Sequence, residues 1–228
     1  MKIGILGGSF NPVHTGHVRM AVEVREQLGL DRVELVPAKE PPHKDGADIL
    51  PFSLRLEMVN QAIRDIPGLT ANPLEGQRPG PSFTSDTLEC YRREHPETEF
   101  FFILGASTFL ELPLWHRGLD IPHMTSMVVV TRWEAADAVK GFIVTHWPDA
   151  VQEAPGSWVF PGENRVRLID TPRLDIKGGQ IRRRWRDRRN LTLLVPSGVD
   201  TVLEDHADEV ERFWGARLSK NFKQKVRP

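Results

Sequence analysis

The start of the chain carries the pattern that most constrains its fold. An apolar run at residues 2–6 predicts a buried strand, which Gly7 and Gly8 end. Residues 16–29 have the spacing of an amphipathic helix that ends at a glycine, and a second apolar run at 31–37 predicts another strand. A strand, a glycine turn, a helix and a strand form a βαβ unit. We therefore expect a parallel sheet with right-handed crossovers.

The alternation of strands and helices continues along the chain. Apolar spacing predicts helices at 53–65 and 84–94, and the nearly continuous apolar runs at 99–104 and 127–131 are typical of central parallel strands. Later elements are a strand at 166–176, a basic helix from about residue 180 and an amphipathic helix at 199–214. The whole pattern predicts an α/β protein with a Rossmann-like, doubly wound parallel sheet and flanking helices.

The length of 228 residues suits one domain with a substantial core. We expect a single domain over residues 1–218 and a basic tail at 219–228 that frays. Residues 135–164 are rich in Pro, Gly and Trp, which predicts an irregular excursion from the sheet.

Composition excludes several classes of protein. A formal net charge of −1 gives no general electrostatic reason to expect nucleic acid or an anionic membrane as a partner. Cys90 is the only cysteine, which rules out an internal disulfide and a cysteine-based zinc cluster, and we expect it half-buried on a helix. The first apolar run ends too early for a signal peptide, and no apolar stretch approaches the roughly 20 residues that span a bilayer. The expected location is the cytoplasm; a homo-oligomer is left open.

The loop between the first strand and the first helix carries the strongest chemical signal. Gly7 and Gly8 let the backbone approach a ligand and expose N–H groups to it, and Thr15 can cap the helix, whose N-terminus favours anions. His14 and His17 are three positions apart at the helix start, so both can face one phosphate. The simpler interpretation is an ordinary strand-to-helix turn.

The run GGSFNPVHTGH, residues 7–17, resembles the first motif of the nicotinate-nucleotide adenylyltransferases, within the nucleotidyltransferase superfamily marked by (H/T)xGH. The tetrad alone is less specific, because class I aminoacyl-tRNA synthetases use a similar HxGH; the extended run is far more specific. The resemblance implies a nucleotidyltransferase-type fold and catalytic roles for His14 and His17. It also implies ATP contacts by Gly7, Gly8, Ser9, Phe10 and Gly16.

Three further segments extend the resemblance. Residues 36–44 are similar to the family's P…PPHK segment, which makes Lys44 a catalytic cation. Residues 82–88 resemble SYTxDTL, which sits against the pyridine ring, with Ser82 or Thr84 as a helix cap. A stretch from Gly105 to Trp115 resembles GxD…W. The resemblance places Gly105 and Ser107 with ATP, and Thr84, Ser85, Trp115, His116 and Arg132 with the pyridine mononucleotide.

Two positions depart from the family pattern. Ser107 stands where the family has Asp, so a hydroxyl replaces a charge. In the motif ISSTxIR both Ser and the Thr are replaced by Lys177, Gly178 and Gly179, whereas Arg182 is retained. Glycine N–H groups and a lysine can still bind phosphate, so we expect an altered ATP cradle with Arg182 as a catalytic cation.

Apart from His116, the remaining basic and imidazole groups are assigned to the surface. Residues 182–189 contain six arginines, a pattern typical of a nucleic-acid patch, but in a chain of net charge −1 a solvated helix face with Arg182 alone turned to the ligand is favoured. The other histidines lack the grouping of metal ligands, so no protein-held metal site is predicted.

The resemblance implies that the chain transfers the adenylyl group of ATP to nicotinate mononucleotide, giving deamido-NAD and pyrophosphate, with Mg²⁺ accompanying ATP. Nicotinamide mononucleotide, phosphopantetheine or another phosphate is an alternative acceptor. A nucleotide-binding homologue with impaired catalysis is a second alternative, motivated by the two departures. A synthetase fragment is a third, because residues 217–220 faintly resemble KMSKS.

Overall fold

The computed structural model describes residues 1–42, 46–131, 133–172 and 174–219, and in this part of the chain eight strands pair into one sheet. The strands are β1 Lys2–Gly8, β2 Arg32–Pro37, β3 Leu69–Ala71, β4 Glu99–Gly105, β5 Ser126–Thr131, β6 Val151–Ala154, β7 Ser157–Val159 and β8 Arg165–Asp170. The helices are α1 Thr15–Leu28, α2 Phe52–Ile63, α3 Thr84–Glu94, α4 Ala106–Phe109, α5 Ile121–Met124, α6 Trp133–His146, α7 Gly178–Arg186, α8 Ser197–Asp205 and α9 Ala207–Trp214. Short 3₁₀ turns lie at Gly46–Asp48, Leu74–Gln77, Leu112–Leu114 and Gly118–Asp120.

The strand order is β3-β2-β1-β4-β5-β8-β7-β6. The strands from β3 through β8 in this order are parallel, and β7 and β6 add an antiparallel edge. The predicted doubly wound parallel sheet is thus confirmed. The order reverses between β1 and β4, and ligands of such sheets bind outside the carboxyl ends of the strands at that point. The fold therefore places the predicted first loop at the expected binding crevice.

Both faces of the sheet are covered, which explains the apolar runs of its central strands. Along β1, Ile3 and Ile5 pack into the layer with α3, α5 and α6, whereas Leu6 packs into the layer with α1, α2, α7, α8 and α9. Within the described residues, no helix is both long and apolar enough to cross a membrane.

Several predicted elements differ from the structure. The expectation of an irregular excursion at 135–164 is wrong: α6 occupies its first part, and a hairpin of β6 and β7 extends the sheet. The predicted final helix is two helices that meet at His206, and the predicted strand at 166–176 ends at Asp170. Cys90 is partly buried on α3, as predicted. The predicted tail lies outside the described residues beyond Ser219.

Candidate active site

The two histidines of the first loop form a stacked pair at the start of α1. Their ring centroids are 3.6 Å apart, and the ring planes are inclined by 24°. His14 is the N-cap residue, so the predicted cap, Thr15, is instead the first residue of the helix. The His14 backbone N–H donates to Nδ1 of His17 at 3.3 Å. Because a nitrogen that accepts a hydrogen bond carries no proton, neutral His17 has its proton on Nε2 and can donate from that side.

Burial controls the charge of His14. Its side chain is 7% exposed, and burial lowers the pKa of His14 from 6.5 to about 4. His14 is therefore a neutral imidazole at neutral pH. Its Nδ1 is buried and makes no hydrogen bond to any described residue. His14 thus combines a buried, unpaired nitrogen with a ring held against His17.

Gly16 and Phe10 hold the rings of His14 and His17 in place. A Cβ on Gly16 would lie 3.1 Å from Nδ1 of His14, so a glycine between the histidines allows them to stack. Phe10 meets His17 edge to face at 5.0 Å and is 1% exposed. The buried Phe10 ring therefore supports His17, and its predicted contact with ATP stays a prediction. Gly7, by contrast, is exposed at the end of β1, with Gly8 and Ser9 partly exposed after it.

Arg182 of α7 reaches the first loop. Its Nη1 donates to the Asn11 carbonyl at 3.0 Å, and its Nη2 forms an ion pair with the Asp48 carboxylate at 2.6 Å. The Asn11 amide in turn donates to the Asp48 carbonyl at 2.8 Å and accepts from the Leu50 N–H at 3.1 Å. Arg182 thus lies next to the histidine loop, where protein groups hold its guanidinium. Asp48 and Asn11 were not predicted, because their pairing joins segments distant in sequence.

Two of the departures from the family pattern, Ser107 and Lys177, line one cavity. A cavity of about 400 Å³ is bounded by Gly16, Gly105, Ser107, Thr131, Asp175 and Lys177. Lys177 is the N-cap residue of α7, and Gly178 and Gly179 are its first two residues. A Cβ on Gly178 would lie 3.0 Å from the Asn11 carbonyl oxygen, so a glycine there allows α7 to approach the first loop. Ser107 and Lys177 therefore line a cavity at the carboxyl ends of β4 and β5, and Gly178 allows the close approach of α7 to the first loop.

The predicted acceptor residues also lie together. Phe83 and His116 pack ring against ring with centroids 4.4 Å apart, which joins the start of α3 to the segment that contains Trp115. Trp115 is partly buried and meets Phe102 edge to face at 6.5 Å.

Thr84 is the first residue of α3 and is partly exposed. The N-cap residue is Phe83, not Ser82 or Thr84 as predicted. Ser85 is fully buried in α3. Phe83 was missed as a site residue.

Arg55 is a buried cation on α2 that was not predicted as a site residue. Its side chain is 1% exposed and donates to backbone carbonyl oxygens of the two loops that follow β1 and β2. Burial lowers the pKa of Arg55 to about 10, with the Glu75 charge acting in the opposite direction, so Arg55 remains a cation at neutral pH. The burial of Arg55 could have been predicted from the helix spacing. Arg55 lies three positions before Met58 and four before Val59, so it shares their buried helix face.

Two predicted site residues, Lys44 and Arg132, lie outside the described residues. In the parts of the chain that are described, no cluster of three or more His, Cys, Asp or Glu side chains is placed to hold a metal ion.

Comparisons with known proteins agree on one family. Residues 5–184 match the cytidylyltransferase-like family model. A probable nicotinate-nucleotide adenylyltransferase of Pelobacter propionicus is 39% identical over 208 residues, which cover 90% of this chain and 96% of that protein. A protein of the same description from Maridesulfovibrio salexigens is 33% identical over 94% of this chain and 100% of its own length.

Solved structures agree on the fold. Plasmodium falciparum nicotinic acid mononucleotide adenylyltransferase complexed with NaAD superimposes with a TM-score of 0.68 at 18% identity, covering 90% of this chain and 96% of that one. A Vibrio parahaemolyticus protein, described as a putative nicotinate-nucleotide adenylyltransferase, gives 0.61 at 16% identity over 96% and 98% of the two chains. The solved structures thus share the fold of this chain. Relatives that are 33–39% identical over nearly the whole chain show that it belongs to the nicotinate-nucleotide adenylyltransferase family.

Proposed function

We propose that this chain transfers the adenylyl group of ATP to nicotinate mononucleotide, with deamido-NAD and pyrophosphate as products. The observation that supports the proposal best is the stacked His14–His17 pair at the start of α1, beside a cavity that Gly16 and Lys177 line. Two imidazoles and a helix N-terminus at one point suit the phosphates of a nucleotide.

In the reaction, a phosphate oxygen of the mononucleotide attacks the α-phosphorus of ATP. The bond from that phosphorus to the bridging oxygen breaks, and pyrophosphate leaves with the electron pair. The attacking group is already an anion, so no general base is needed. Catalysis consists of positioning and stabilisation of charge during an in-line displacement.

Each proposed group has a role set by its surroundings. His17 donates from Nε2 to the phosphate oxygens on which charge builds, and the neutral His14 holds the His17 ring in place. Lys177 and Arg182 neutralise the triphosphate, and Lys44 adds a further cation. The acceptor base packs near Trp115, while Thr84 and the N–H groups at the start of α3 receive its carboxylate.

Mg²⁺ enters with ATP as part of that substrate and neutralises the leaving pyrophosphate. Asp175 lies on the wall of the same cavity as Lys177 and is the carboxylate suited to it. The protein's own part is to orient the phosphates. We place the reaction in the cytoplasm.

A substrate screen tests the proposal. The purified chain is mixed with ATP, Mg²⁺ and either nicotinate or nicotinamide mononucleotide, and pyrophosphate release and product mass are measured. Deamido-NAD formed faster than NAD supports the proposal. Faster NAD formation would assign the chain to the alternative acceptor. Absence of pyrophosphate with every phosphate acceptor, phosphopantetheine included, would favour the catalytically impaired homologue that Ser107 and Lys177 motivate.

A further inference from the structure

One buried arginine joins the loops that leave two neighbouring strands. Arg55 Nε donates to the Leu50 carbonyl at 2.8 Å, and Nη1 donates to the Ser9 and Ala38 carbonyls at 2.7 Å each. Nη2 donates to the Lys39 carbonyl at 3.2 Å. Ser9 precedes the histidine pair, whereas Ala38 and Lys39 follow β2. A single guanidinium therefore fixes the separation of the two loops.

A buried carboxylate, Glu75, joins the charge of Arg55 to the start of α3. Glu75 is 7% exposed and accepts a hydrogen bond from the Thr87 hydroxyl of α3 at 2.7 Å. Burial raises the pKa of Glu75, while the hydroxyls of Thr87 and Ser82, the charge of Arg78 and the Lys39 backbone N–H act in the opposite direction. Glu75 thus contacts α3 through the Thr87 hydroxyl, and its charge also favours the cationic form of Arg55, which binds the Lys39 carbonyl.

The segment at 39–40 also pairs directly with the acceptor loop. The Glu40 N–H donates to the Ser82 hydroxyl at 3.1 Å, and the Ser82 N–H donates to the Glu40 carbonyl at 3.0 Å. Ser82 precedes Phe83 and Thr84, which lie at the proposed pyridine site. A continuous set of polar contacts therefore runs from the loop that carries the histidines to the start of α3.

We propose that Arg55 and Glu75 are positioning residues, which hold residues 38–40 so that the ATP loop and the acceptor loop keep the separation needed for in-line attack. This inference rests on the proposed function. Neither side chain touches the reacting phosphates; both act through the loops that they bind. Displacement of reacting groups by about 1 Å lowers rates by roughly 10²-fold, so loosening this connection reduces turnover more than it reduces the affinity for ATP.

Conservative substitutions test the proposal without creating a buried charge that lacks a partner. In Arg55→Lys, one ammonium replaces a planar group with five donors and cannot reach four carbonyl oxygens. In Glu75→Gln the shape is kept and the charge is lost. We expect each variant to lose about 10-fold or more in kcat per folded molecule, whereas the Kd of ATP measured without acceptor changes less than about 3-fold. Arg64→Lys, at an exposed arginine just after α2 that contacts Gln61, is the matched control.

The outcomes separate the two proposals. The folded fraction is measured by circular dichroism at the assay temperature, and turnover is measured as pyrophosphate release with ATP and nicotinate mononucleotide. An inactive wild-type chain would contradict the proposed function. An active wild type with unchanged kcat in a folded Arg55→Lys or Glu75→Gln variant would overturn the positioning role. If Arg55→Lys does not fold, the Glu75→Gln measurement decides alone, because its side chain keeps the volume of the native one.

Discussion

Arg182 forms an ion pair with Asp48, with 2.6 Å between Nη2 and Oδ2, so the cation expected to bind ATP already has a carboxylate partner. The Asp48 side chain is 49% exposed. Exposed pairs of this kind contribute about 0.2–1 kcal/mol, which a multiply charged triphosphate can displace.

Asp48 is therefore expected to compete with ATP for Arg182. In Asp48→Asn the carboxylate charge is removed, and we expect the KM for ATP to fall by up to about 5-fold, the factor that corresponds to 1 kcal/mol. Steady-state kinetics with the acceptor at saturation measure this change. A rise in KM would show instead that Asp48 aims Arg182 at the substrate.

Arg182 is expected to contribute more to catalysis than the other arginines of residues 182–189. Arg182→Ala should reduce kcat/KM for ATP by about 10²-fold, because a charge-stabilising donor is lost. Arg183 follows it on α7 but is exposed, so Arg183→Ala should stay within about 2-fold of the wild type. Equal losses in the two variants would contradict a specific role for Arg182.

The pH dependence of stability reports the burial of His14. Its pKa is 6.5 when unfolded and about 4 when folded, so between these values the unfolded chain binds a proton that the folded chain does not. This contribution to stability is complete above pH 6.5 and is lost as the pH falls towards 4. Over the full window it amounts to about 3 kcal/mol.

Urea unfolding at pH 7 and pH 4.5 measures this effect. We expect the wild type to lose more stability between these two values than His14→Asn, because the variant lacks the titrating ring. The carboxyl groups and other histidines titrate in both proteins, so only the difference between them is informative. Equal losses would contradict the buried, neutral state of His14.

The two glycines that open α7 are expected to differ in their tolerance of a side chain. A Cβ on Gly178 would lie 3.0 Å from the Asn11 carbonyl oxygen, whereas a Cβ on Gly179 would lie 3.9 Å from its nearest neighbour, Arg182. Alanine favours a helix over glycine by up to about 1 kcal/mol. We expect Gly179→Ala to raise the free energy of unfolding and Gly178→Ala to lower it. The reverse order in chemical denaturation would mean that α7 does not approach the first loop closely.

The sequence predicted the parts of the fold that depend on local patterns. The apolar run of β4 and the strand–turn–helix pattern around His14 and His17 predicted a parallel sheet, which the structure confirms. The helix α6 was not predicted, because the Pro, Gly and Trp content of residues 135–164 as a whole favours irregular structure. Its own buried positions, Val139 and Ile143, have helical spacing.

The groups that organise the site were harder to predict. The partners of Arg55 and Arg182 are backbone carbonyls and a carboxylate from other segments, and no local pattern specifies them. Phe10 was expected to contact ATP because its motif is a ligand loop, but the structure places its ring beneath His17. Within one motif, Gly7 is thus exposed whereas Phe10 is buried as a support for His17, a difference that the sequence pattern does not specify.

The turnover of His17→Ala tests the central claim most directly, with ATP, Mg²⁺ and nicotinate mononucleotide as substrates and the exposed His95→Ala as the control. If His17 stabilises charge on the phosphate oxygens of the transferring adenylyl group, kcat should fall by at least about 10²-fold while the circular dichroism spectrum and His95→Ala activity remain those of the wild type. Near-normal turnover in folded His17→Ala would contradict the account.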